Sequence, residues 1–132
     1  MFVLQHELQT ETYGHNFQMM TPKARVQYIK DMALAAQLEI GEVLGEVNWK
    51  PWAEPNAVTV PKHGAYLSEI VDVMQFLMNL ALALGDDPRE IARSLFTRHT
   101  LKYRVNVRRH TEGYDARASK CPVCGRALDD AD

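Results

Sequence analysis

From Val26 to Val47 the chain returns to an apolar residue at alternating steps of three and four: Val26, Ile29, Ala33, Ala36, Ile40, Val43 and Val47. That spacing keeps one face of an α-helix apolar along its whole length and cannot serve a strand, whose faces alternate every second residue. A stripe so narrow packs against another helix. The punctuation around it agrees. Thr21 is placed to cap the helix, Pro22 suits its first position, and Pro51 disfavours helix at Lys50, so the helix ends near "NWKPW". A short helix is expected over residues 2–12, ahead of Gly14, and a third over about 65–84, apolar nearly all round through Ile70, Val71, Met74, Phe76, Leu77 and Leu80. Such a helix belongs at the centre of a bundle. "GDDPRE" closes it at Gly85 and opens a fourth, with Asp87 as cap, Pro88 first and Glu90 set for a capping box, running to about His110. No segment alternates as a strand would, and nothing repeats. The expected fold is all-α, a bundle of about four helices over residues 1–114, followed by a polar tail over 115–132 that carries a Cys-x2-Cys pair. The loop "AEPNAVTVPKHG" between the second and third helices is expected to move as a lid.

At 132 residues, with 46% hydrophobic and 24% charged residues, the chain has the size and make-up of one soluble domain. A net charge of -2 gives no general attraction to nucleic acid or to an anionic membrane, so an anion site has to come from local clustering of Lys and Arg. The N-terminus has no basic stretch ahead of an apolar one, and no run approaches the ~18 uninterrupted apolar residues of a membrane span. A cytoplasmic protein with neither membrane nor nucleic-acid partner is expected. The two cysteines, Cys121 and Cys124, both lie in "CPVCG" and make no disulfide framework.

Two sets of carboxylates stand out. Glu39, Glu42 and Glu46, at i, i+3 and i+7, share the helical face that borders the apolar stripe. Alone, such a triplet is most often a solvated face. Glu69 and Asp72 are sharper, because they repeat the i, i+3 spacing inside the most apolar helix. Ionised carboxylates there need a cation: either Lys or Arg of the fourth helix, or a hard divalent ion such as Mg²⁺ or Mn²⁺. On the fourth helix Arg98, Lys102, Asn106 and Arg109 follow at steps of 4, 4 and 3. That stripe is either a solvated face or a cradle for a polyphosphate, which the fork of Arg and the point charge of Lys both suit. Trp49 and Trp52, flanking Lys50, either stack on a base or cover the end of the core.

In order and spacing these pieces resemble the dimeric all-α dUTPases of the MazG-like nucleotide pyrophosphohydrolase superfamily, over roughly residues 4 to 114. The resemblance rests on "ExxE" at Glu39 and Glu42, a gap of 26 residues, "ExxD" in "EIVDVMQF", the "NWKPW" segment, and "KYRVNVRRHTEGY", with Lys102, Asn106, Arg109, Gly113 and Tyr114 in the closing pattern. It implies that Glu39, Glu42, Glu69 and Asp72 hold metal and that Lys50, Lys102 and Arg109 contact phosphate. It also implies that Asn106 bonds the deoxyribose and that Trp49 contacts the base. "LQHELQ" resembles the family's Leu-Gln-x2-Leu-Asn, which puts Gln5 in the base pocket. Gln9 and Gln75, on the nucleoside side, stand where Asn and His are usual. Glu42 or Glu46 is the candidate for orienting the attacking water.

The implied activity is Mg²⁺- or Mn²⁺-dependent conversion of a deoxynucleoside triphosphate, dUTP first, to the monophosphate and pyrophosphate. The same chemistry on a purine or cytosine dNTP is the near alternative. A non-catalytic helical adaptor with a zinc knuckle is the distant one. The family implies a homodimer, or a tetramer. "CPVCG" holds half the ligands of a structural Zn²⁺ site. Three readings stay open: four cysteines shared between two chains, a mixed site completed by His110 or another side chain, or two thiols without metal.

Overall fold

In the computed structural model the described residues are 1–47, 49–50, 52, 60–113 and 120–123. Most of the expected lid, together with Tyr114, Cys124 and most of the tail, lies outside them. Helix α1, Phe2–Glu7, runs on into a π-helical turn, Leu8–Thr12; then come α2, Pro22–Gly45, α3, His63–Leu82, and α4, Pro88–Glu112. The fold is all-α, with no strand among the described residues. The expected caps form. Thr21 Oγ1 accepts from the Ala24 N–H at 3.2 Å, and Asp87 Oδ1 from the N–H groups of Arg89 at 2.8 Å and Glu90 at 3.4 Å, satisfying donors that the first turns leave open.

The chain divides into two compact units, Met1–Ile91 and Ala92–Asp132, so the division falls within α4. In the first unit α2 packs on α3, and α1 lies against α3. Its buried centre is Phe17, Tyr28, Leu82, Ala83 and Ile91, flanked by Phe2, Met20, Met32 and Ala81. One polar clamp holds that end together. The Arg25 guanidinium donates to the carbonyl of Ala83, just past α3, and at 2.8 Å to that of Phe17.

Pairings along the two long helices show that they run antiparallel: Arg25 meets Ala83, Met32 meets Asn79, and Glu39 meets Glu69 and Asp72. Arg25, Met32 and Glu39 are spaced seven apart and form one row. Ala36 is buried and Val43 half-buried, so part of the expected stripe is indeed covered. The rest is more open: Val26 is 52%, Ile29 38% and Ile40 48% exposed, while Ala33 and Val47 are half-buried. The seam is therefore turned from the purely apolar stripe towards a row with polar members. The third helix also departs from expectation. Among the described residues it is not covered on every side, since Leu67, Val71 and Leu77 are exposed. By length and composition α3 is apolar enough to cross a membrane, yet it is this helix that carries Glu69 and Asp72 to α2.

Candidate functional site

Glu69 and Asp72 lie one turn apart on α3, and the antiparallel pairing sets them opposite Glu39 of α2. Each of the three offers a carboxylate oxygen, and the three oxygens lie within 4.8 Å of one another. All three residues are half-buried. Loss of water pushes the Glu39 carboxyl above its ordinary range, and the charges of Glu42, Asp72 and Glu69 push it further. Glu69 is raised by the same loss of water and then by Glu42, Asp72 and Glu46. Among the described residues no Lys or Arg moves either titration. A set of hard oxygens, mutually repelling and partly withdrawn from water, suits a hard divalent cation. Glu42 is exposed and Glu46 half-buried; both act on the cluster through charge, but neither belongs to the close group of three.

Further along the same seam is a layer of amides. Gln5 Nε2 donates to Asn79 Oδ1 at 2.9 Å, and Asn79 Nδ2 to Met32 Sδ at 3.4 Å. The Tyr28 hydroxyl donates to Gln9 Oε1 at 3.0 Å, from within the π-helical turn's contact with α2. Gln5, Gln9 and Asn79 are only 5%, 6% and 2% exposed, and burial pushes the Tyr28 phenol up to about 12. Gln75, half-buried, lies one turn from Asn79 towards Asp72. Sequence reasoning picked out the glutamines and missed Asn79 and Tyr28. For Asn79 the missed signal was a second amide in an apolar helix, one turn after Gln75 and seven residues after Asp72, thus on its face.

Beyond the end of α2, Trp49 and Trp52 meet edge to face with ring centres 6.0 Å apart, and Lys50 Nζ lies 5.5 Å from the centre of the Trp49 ring. These three side chains are exposed and form a group of their own. In the second unit Lys102 and Asn106 line a pocket of about 410 Å³ with His99, Tyr103, Val107 and His110, all on one face of α4. Arg98 is exposed and Arg109 half-buried. Cys121 is half-buried, and Cys124 lies outside the described residues, so the zinc expectation gains no geometry.

Fold and site together define an all-α protein with an acidic cluster in an antiparallel helix seam and buried amides farther along it. A family model described as dUTPase matches residues 1–112, and the chain belongs to that family. The match spans every helix and stops before the cysteine pair. It supports a diphosphatase activity on deoxynucleoside triphosphates in general. No individual curated protein and no solved structure matches the chain.

Proposed function

We propose that the protein is a divalent-metal-dependent diphosphatase that cleaves dUTP, in preference to other dNTPs, to dUMP and pyrophosphate. The observation that carries this reading is the close group of Glu39, Glu69 and Asp72, in which the Glu39 and Glu69 carboxyls are pushed up by burial and by neighbouring carboxylates, in a chain of the dUTPase family. Those three carboxylates would hold Mg²⁺ or Mn²⁺, with Glu42 adding a ligand from the exposed side. When bound, such an ion supplies Lewis-acid polarisation of phosphate oxygens and a more acidic water. Glu46 or Glu42 accepts a hydrogen bond from the attacking water and aligns it with phosphorus. The water's oxygen forms a new bond to phosphorus as its proton passes to that carboxylate, and the α–β anhydride bond breaks with its electron pair going to the departing phosphate oxygen. Lys50, Lys102 and Arg109 bind the phosphates and offset charge growing on the leaving group. Asn106 bonds the deoxyribose, Trp49 stacks on the base, and Gln5, Gln9 and Gln75 read its edge.

A homodimer, or a tetramer built from it, fits the same reading. Val26 and Ile40 of α2 and Leu67, Val71 and Leu77 of α3 leave apolar surface that a second copy would cover. The deciding experiment measures pyrophosphate release from dUTP and each dNTP, with Mg²⁺ and with a chelator. Release that needs Mg²⁺ and is fastest with dUTP supports the reading. No release from any of them, or release indifferent to chelation, would sink it.

A further inference from the structure

Asn79 follows Asp72 by seven residues and Met32 precedes Glu39 by seven, so in the antiparallel pair both lie about 10 Å along the seam from the carboxylates. That is a distance a nucleotide can bridge from its phosphates to its base. The hydrogen bonds there have a fixed direction. A thioether sulfur can only accept, so its contact with Met32 holds the Nδ2 end of Asn79 and turns Oδ1 towards Gln5. Gln5 must then use its Nε2 on Asn79, which leaves its Oε1 as an acceptor. The Tyr28 phenol, with its pKa near 12, stays protonated at any working pH and donates to Gln9 Oε1, which leaves Gln9 with its Nε2 donor. No fully buried side-chain nitrogen or oxygen among the described residues lacks a partner, so the two remaining amide ends open to a surface.

We infer that Asn79, held by Met32, and Tyr28 are positioning residues that lock Gln5 as an acceptor and Gln9 as a donor towards the base, and thereby decide which pyrimidine is accepted. The inference rests on Gln5 and Gln9 reading the base, as proposed above. Uracil presents an N–H at position 3 beside a carbonyl at position 4; cytosine presents the reverse, an acceptor beside an amino group. A locked acceptor and donor satisfy one order and leave polar groups unpaired in the other. Amides free to turn end for end would satisfy both. None of Met32, Asn79 or Tyr28 has to touch the nucleotide for this to work.

The test uses Met32→Leu, which removes the sulfur acceptor at nearly constant volume, and Tyr28→Phe, which removes the hydroxyl and keeps the ring. For wild type and both variants, kcat/KM is measured for dUTP and dCTP with Mg²⁺, alongside the melting temperature. The expected result is a dUTP-to-dCTP ratio that falls about tenfold in each variant, since one hydrogen bond's worth of discrimination is lost. Most of that fall should come from a gain on dCTP. Equal losses on both nucleotides, or an unchanged ratio, would show a purely structural bond and overturn the inference while leaving the proposed activity intact. A wild type indifferent to the two pyrimidines would overturn it too. A wild type inactive on every nucleotide would remove the functional reading and this inference with it. If Tyr28→Phe does not fold, the Met32→Leu ratio decides.

Discussion

Glu39 of α2 and Asp72 of α3 come from helices 26 residues apart at their nearest acidic pairs, yet they offer oxygens within 4.8 Å of each other, with Glu69 equally close. In the metal-free protein this arrangement is repulsive. Asp72→Asn and Glu69→Gln keep side-chain size and remove one charge. Both should abolish Mg²⁺-dependent pyrophosphate release, by a factor of about a hundred or more, because a lost ligand removes transition-state stabilisation. With chelator present, the same variants should melt at or above the wild-type temperature. Saturating Mg²⁺ should raise the melting point of the wild type through mass action, and raise it less in the variants. Turnover near the wild-type level in either variant would rule out the ligand assignment.

Burial, and then the same repulsion, set a pH dependence. Glu39 and Glu69 titrate above their ordinary 4.5 in the folded chain, so between that value and their raised ones the folded state holds protons that the unfolded state has given up. Stability of the metal-free protein should therefore fall as pH rises through that window. Other groups titrate there as well, so the informative quantity is the difference in melting temperature between wild type and Glu69→Gln. That difference should favour the variant increasingly as pH rises, and Mg²⁺ should reverse it. A difference that stays flat with pH would show that the cluster carries no such strain.

Tyr28 gives a second, alkaline window. Its phenol is raised from 10.0 to about 12 by burial, so its contribution is fully present below pH 10 and is lost as pH climbs through 12. Tyr28→Phe should cost about 1 kcal/mol at neutral pH, for the lost bond to Gln9, and should unfold less steeply than wild type above pH 10. Denaturant melts at several alkaline pH values would show it. Parallel losses in both proteins would mean that Tyr28 is not the group that titrates.

Residue by residue, it is clear why some of this was legible in the sequence. Charges are conspicuous in an apolar helix, so Glu69 and Asp72 declared themselves, and capping chemistry marked Thr21 and Asp87 without any tertiary information. The face of α2 was only half legible. Apolar periodicity identifies residues that avoid water, and Ala36 and Val43 obeyed it. Arg25, Met32 and Glu39 enter the seam because α3 supplies a carbonyl, an amide and a carboxylate pair to meet them, and no local pattern records that. Asn79 was passed over for the same reason. Its partners, Gln5 and Met32, are 74 and 47 residues away.

Gly85 is a test of the clamp at the far end of the seam. Its φ of +88° lies in the left-handed region, and a Cβ there would stand 3.1 Å from Arg25 Nη1 and 3.2 Å from the Phe17 carbonyl oxygen. Gly85→Ala should cost about 1 kcal/mol for the backbone alone, and more because Arg25 has to move off two carbonyls. Removing the guanidinium first, as in Arg25→Ala, should relieve the second part. The two substitutions should then cost less together than the sum of their separate effects, read from denaturant melts. Strict additivity would mean that the added methyl and the guanidinium do not compete for the same space.

The exposed apolar residues of α3 lead to the last prediction. Leu77 is 50% exposed on the helix that also carries Glu69 and Asp72. If a second copy covers that surface, the protein should sediment as a dimer or tetramer at micromolar concentration. Leu77→Glu would then place a charge in the contact, and burying it unpaired is strongly unfavourable. The variant should dissociate to monomer. Because Leu77 already faces out of the single chain, its far-UV circular dichroism should stay helical, which separates loss of assembly from loss of fold. A wild-type chain that sediments as a monomer throughout the concentration range would refute the dimer. A Leu77→Glu variant that stays assembled would place the contact elsewhere, with the α2 residues Val26 and Ile40 as the next surface to charge.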